Sequence, residues 1–187
     1  MGGLATTTPA RALADGLRGL PAEDAVPVVD AGLRLPCCSR HDVEQVLERQ
    51  RHWPFAATAA ASLALVDARR ESSLESRSAV VMHRFALPAP EPQVRILDAR
   101  RRLVARVDFA WLDFGVVGEA DGRVKYAGDP GRVVEAEKDR HAQLEALGLV
   151  VVRWGHKHLH GEPPEMVVRL WAALAAGDPA RFRGLAA

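Results

Sequence analysis

Between Arg106 and Tyr126 the chain reads RVDFAWLDFGVVGEADGRVKY, two short apolar runs that each carry one carboxylate. Asp108 and Glu119 stand where the alternation would put a buried, apolar side chain. Asp121 follows two residues after Glu119, and Lys125 lies four further on. Residues two apart on a strand share a face, so Glu119 and Asp121 point the same way. An isolated carboxylate is costly to bury and is therefore paired, protonated or bound to a cation. Acidic groups converging from adjacent strands are the hard oxygen set that suits Mg²⁺. The pattern predicts two neighbouring strands with a metal site at their end.

Composition limits what can surround that site. At 187 residues, 48% hydrophobic and 26% charged, the chain suits one soluble domain, or one domain with a small accessory region. It holds no uninterrupted stretch of 18 apolar residues and no basic-then-apolar leader, which predicts a cytoplasmic protein with no membrane partner. The start Met-Gly-Gly-Leu-Ala-Thr matches a myristoylation pattern, a short motif often met by chance. Cys37 and Cys38 are the two cysteines. Being adjacent, they supply neither a disulfide framework nor a metal quartet and read as free thiols at a helix boundary. A net charge of only +1 gives no bulk attraction to nucleic acid, so any such contact rests on local patches.

The pattern of breaks divides the chain near residue 70. Residues 9–67 read as helices interrupted by Pro and Gly, with Pro21 opening one to Arg34 and Ser39 capping one to Arg51. Pro54 opens a third to Val66, whose run ATAAASLALV is apolar nearly all round and predicts burial. DARRE, at 67–71, reads as a linker. The domains expected are a helical accessory region over 1–70 and a second domain over 71–187. In the second, Ser72-Ser73-Leu74-Glu75 is a capping box that opens a helix to Phe85. Pro88, Pro90 and Pro92 then force extended chain. Strand-like runs follow at 93–97, 103–111 and 115–121, close enough for an antiparallel meander. A helix over 132–147 ends at Gly148, a strand covers 149–154, and a last helix covers 163–176.

This α-β-β-β-α-β order, with a glutamate on the helix, an aspartate on the second strand and a glutamate on the third, resembles the PD-(D/E)xK restriction-endonuclease-like nucleases. More narrowly, residues 71–175 resemble the very-short-patch-repair-endonuclease-like domain at the C-terminus of bacterial proteins related to abortive-infection antitoxins. ESSLESRS, RVDFAW, VVGEADGRVKY, EKDRHAQLEALG and VVVRW carry the resemblance, and PARALADGLRGLPAEDAVPVVDAGLR resembles the middle region of those longer proteins. A winged-helix DNA-binding segment usually precedes that region in them. The resemblance implies an α/β (α+β) fold and a Mg²⁺- or Mn²⁺-dependent endonuclease that hydrolyses DNA phosphodiester bonds. A toxin or repair protein is the further partner it implies.

On that reading Asp108, Glu119 and Asp121 hold the metal, with Glu75 and Lys125 beside them at the catalytic centre. Arg101, Arg102, Lys138 and Arg140 face nucleic acid. Several also have a plainer role open to them, Glu119 not among them. Glu75 suits the third position of a capping box. Asp108 could pair with Arg106 or Lys125, and Asp121 before Gly122 suits a turn. Lys138 and Arg140 could be a solvated helix face. The family pattern places lysine two residues after the strand-three glutamate, and Asp121 occupies that slot here. Lys125, one of 3 lysines in a chain with 25 basic residues, is the nearest cation to replace it. The competing expectation is a non-catalytic nucleic-acid-binding or antitoxin-like regulatory protein that retains the fold.

Overall fold

A computed structural model describes residues 6–121 and 130–187, the side chains of 130–137 excepted. The chain forms two compact units, Met1–Val80 and Val81–Ala187. The first is helical. Thr8 caps α1 (Pro9–Gly19) by accepting the amide of Arg11, with proline at the first helical position. Its Ala10, Leu13, Ala14 and Leu17 recur at helical spacing and are buried. In α2 (Ala22–Leu33) they meet Val26 and Val29, and in α3 (Arg40–Arg49) they meet Val43. Ser39 and Asp42 form a reciprocal capping box at the start of α3. The Ala-rich α4 (Ala56–Ala64) buries only Ala59, Ser62 and Leu63, and Ala57, Ala60, Ala61 and Ala64 are exposed. That overturns the expectation of all-round burial: alanine is apolar enough to score as core, yet its methyl group costs little in water.

The division falls inside α5 (Ser73–Arg84) and not at the DARRE segment. The reason is a polar knot. Asp30 of α2 is fully buried and accepts the amide of Asp67 at 2.7 Å, a guanidinium nitrogen of Arg70 at 3.0 Å and the hydroxyl of Ser76 at 2.6 Å. One carboxylate thus binds the connector and the first turns of α5 to the helical core, and Val80 completes that core.

The second unit is a mixed α/β structure around one five-stranded sheet in the order β4-β3-β2-β1-β5. β1 (Glu91–Leu97), β2 (Leu103–Trp111) and β3 (Val116–Ala120) form the antiparallel meander. A single helical turn, Leu112–Phe114, joins β2 to β3 and is closed by Gly115 at φ +66°. α6 (Pro130–Ala146) then crosses over to β4 (Val150–Trp154), which pairs parallel to β3. α7 (Glu165–Ala176) packs along β4, and the short β5 (Leu185–Ala186) pairs with β1.

The two sheet faces carry different cores. On one, Val94, Ile96, Ala105, Val107, Ala110 and Val117 pack with Leu144 of α6 and with Leu149. On the other, Phe109 stacks on Trp154 with ring centroids 5.6 Å apart and approaches Trp111 at 6.3 Å. A Cβ on Gly118 would lie 2.6 Å from the Trp154 ring, so only glycine lets the two tryptophans close over β3. Both tryptophans are core.

Candidate functional site

Asp108 sits where β2 turns over. Val107 belongs to the core under α6, whereas Phe109 stacks on Trp154 on the other side. In a regular strand residues two apart share a face, so Val107 and Phe109 would also share one with Ala105. The change of face is taken up at Asp108 and at the position across from it. Pro92 pairs with Phe109 and Val94 with Val107, which leaves Gln93 opposite Asp108 at φ +59°. The Gln93 amide donates to Oδ1 of Asp108 at 3.4 Å. Irregularities of this kind re-aim a side chain. Here the half-buried carboxylate reaches β3, where its Oδ2 accepts the amide of Ala120 at 2.8 Å.

That bond places Asp108 beside Glu119. Ala110 and Val117 are cross-strand partners on the α6 side, and Asp108 and Glu119 extend those two rows outward. Both carboxylates therefore project toward the α6 face at one end of the β2–β3 pair. Glu119 is only 3% exposed. Its Oε1 lies 3.2 Å from the guanidinium of Arg140 on α6, and its Oε2 lies 2.5 Å from that of Arg153 on β4. Arg153 is the parallel-sheet neighbour of Glu119. Asp121, beyond the end of β3, is exposed, and its amide donates to the carbonyl of Trp154 at 2.8 Å.

The remaining expected residues have different settings. Glu75 belongs to the first unit, is 4% exposed, and accepts the amide of Glu71 at 3.0 Å. Ser72 caps the Glu75 amide at 3.2 Å. This is capping chemistry, displaced by one residue from the reciprocal box. Arg101 and Arg102 lie on the exposed β1–β2 turn, and Lys138 is exposed on α6. Lys125 lies outside the described residues.

Arg153 was not among the expected site residues, although the sequence carried its signal. It interrupts the apolar run of β4 as Asp108 interrupts that of β2. Only the pairing of β4 with β3 gives it a partner.

The donor chemistry can be tested against Mg²⁺. Oxygen from Asp108 and Glu119 is the right kind of ligand. However, both oxygens of Glu119 face guanidinium groups, and both of Asp108 accept N–H donors. Among the described residues no group of three acidic, histidine or cysteine side chains is arranged to hold an ion. A divalent cation at Glu119 would meet two fixed positive charges within a few ångströms, and the arrangement does not fit one.

No family model and no solved structure matches this chain. Proteins from two strains of Mycobacterium tuberculosis, both described as uncharacterized, are 32% identical to it over 182 residues. The match takes in 97% of this chain and 65% of theirs, so the chain spans less than two thirds of the length of these bacterial relatives. Among the described residues no helix is long and apolar enough to cross a membrane.

Proposed function

We propose that this chain is a DNA-binding protein on a restriction-endonuclease-like core, non-catalytic, with the ancestral metal carboxylates converted into an ion-paired structural cluster. The observation that carries the reading is the double arginine clamp on Glu119. A buried carboxylate held by Arg140 and Arg153 is satisfied electrostatically without a metal. The α5-β1-β2-β3-α6-β4 order and the common face of Asp108 and Glu119 support the choice of core. An antitoxin-like regulator with a protein toxin as partner is the role that such a protein fits.

A specific observation favours the second reading, a Mg²⁺- or Mn²⁺-dependent deoxyribonuclease. The two carboxylates still occupy one end of neighbouring strands, with Asp121 two residues beyond. On that reading Arg140 and Arg153 must leave Glu119 to admit the metal. One experiment separates the readings. Supercoiled and mismatched duplexes are incubated with the protein in Mg²⁺ or Mn²⁺, beside Glu119→Gln, while calorimetry follows metal binding. Binding of DNA with neither cleavage nor stoichiometric metal uptake is the expected result. Metal-dependent cleavage that disappears in Glu119→Gln would establish the nuclease instead.

A further inference from the structure

The connection between α2 and α3 carries both cysteines of the chain, Cys37 and Cys38, and both are free thiols. Cys37 is exposed, in a turn just after Pro36. Cys38 is 7% exposed and belongs to the helical core with Val43 and Val66. Both residues line one open groove of about 690 Å³, whose other walls are the end of α2, the start of α3 and residues 66–69. A small reagent thus reaches Cys37 from solvent and finds the second thiol on the neighbouring residue.

The two thiols have different surroundings. The Cys38 thiol donates toward the carbonyl of Ser39, with the sulfur 3.6 Å from the oxygen. Burial pushes the Cys38 thiol up, and the Asp42 carboxylate and Cys37 add to the rise. Asp42 itself stays charged, because the Ser39 hydroxyl and amide hold it below its ordinary range. Cys38 is therefore kept as a neutral thiol, slow to attack an outside reagent, since the thiolate is the nucleophile. Toward a group on Cys37 its adjacency supplies a high effective concentration, which offsets that slowness. Neighbouring Cα atoms stand about 3.8 Å apart across a trans peptide, short of the roughly 4.4–6.8 Å that an unstrained disulfide spans. A disulfide between these two residues is strained and easily reduced, as suits a reversible site and not a structural staple.

We propose that Cys37 and Cys38 form a site of reversible oxidation by hydroperoxides, in which Cys37 reacts first and Cys38 resolves the product. The Cys37 thiolate attacks the terminal oxygen of the hydroperoxide. The O–O bond breaks, an alcohol leaves (water, for hydrogen peroxide), and Cys37 carries a sulfenic acid. The Cys38 sulfur then attacks the Cys37 sulfur. An S–S bond forms, the S–O bond breaks, and water departs with the Cys38 proton. Two thiols and one hydroperoxide thus give one disulfide, one alcohol and one water. An external dithiol restores both thiols by exchange. None of these steps requires DNA.

Mass spectrometry of the full chain after stoichiometric hydrogen peroxide tests the site. Trypsin releases both thiols on one peptide, LPCCSR, between Arg34 and Arg40. The expected result is a loss of two hydrogen masses confined to that peptide and fully restored by dithiothreitol. Cys38→Ser should accumulate a dimedone-trapped sulfenic acid at Cys37 that goes on to sulfinic acid, because nothing resolves it. Cys37→Ser should react roughly tenfold more slowly or less, since its remaining thiol is buried and neutral. Equal rates in the two variants would overturn the assigned order. The wild-type measurement stands without either variant. An unchanged mass, sulfinic acid at Cys37 in the wild type, or a disulfide joining two chains through Cys37 would each overturn the site.

Discussion

Among the described residues each unit of the molecule buries a carboxylate against arginine, and the two pairings differ in how they are finished. Asp30 receives three hydrogen bonds from the connector and α5, and its partner Arg70 also donates to the carbonyl of Leu65 at 2.9 Å. Side-chain exposure is 0% for Asp30 and 11% for Arg70. Glu119 meets two guanidiniums that remain 37% and 25% exposed. The first is a closed structural knot. The second is a cluster whose cations reach toward solvent at the end of the β2–β3 pair. Burial of charge alone is thus no sign of a functional site, and the two pairings differ in how far their arginines stay open to solvent.

The largest expected effect tests the closed member. Asp30→Ala leaves Arg70 buried without its counter-charge and should destabilise the chain by about 3–5 kcal/mol in chemical denaturation. A loss under about 1 kcal/mol would mean that the knot opens to water and that the contrast is false.

Glu119→Gln comes next. Because Arg140 and Arg153 can rehydrate, the discounted cost is about 1–3 kcal/mol. The same melt in millimolar Mg²⁺ sharpens the comparison. Ion-paired Glu119 predicts a wild-type Tm that is insensitive to the metal, whereas a clear rise absent from Glu119→Gln would reveal a cation site.

A smaller change is expected from Asp108→Asn, which keeps an acceptor for the Ala120 amide while losing the charge. About 1 kcal/mol is the expected cost, measured by the same denaturation, and DNA affinity should be unaffected. A stronger effect on binding than on stability would place Asp108 at the ligand.

The smallest effect is a pH dependence. Desolvation by burial raises the Asp30 carboxyl above its ordinary value near 3.8, against the lowering pull of Ser76, Arg70 and the Asp67 amide. With the folded value above the unfolded one, this contribution to stability is complete below the unfolded value and lost as pH rises through the folded value. The stability gap between wild type and Asp30→Asn should therefore be wider in acid than at neutral pH. A gap that narrows on acidification would show that the pairing with Arg70 outweighs burial.

Much of the local structure was legible because its causes are local. Ser39 with Asp42 announces the start of α3, the three prolines at 88, 90 and 92 announce extended chain before β1, and Gly148 ends α6. β1 to β4 were placed within a residue or two, since alternation of apolar residues is imposed by the two-residue pleat, whereas the two-residue β5 was not expected. The burial of α4 was misread because hydropathy counts an alanine methyl as core, whether or not anything packs on it. Glu75 could be read along the chain either as a site residue or as a cap, and its bonds with Glu71 and Ser72 are those of a cap. Arg153 was not connected to Glu119, because the two lie on strands joined only through the crossover of α6.

Sequence alone determined which residues could not rest without partners: Asp108 and Glu119 within apolar runs, and the arginines crowded around the β1–β2 turn. Tertiary structure decided who those partners are. The parallel docking of β4 on β3 put Arg153 beside Glu119, the packing of α6 brought Arg140, and the turnover opposite Gln93 aimed Asp108 at Ala120. Desolvation cost is a property of the residue and its local pattern, so it can be read along the chain. The charge that offsets it comes from whichever strand or helix packs alongside, and that depends on long-range topology.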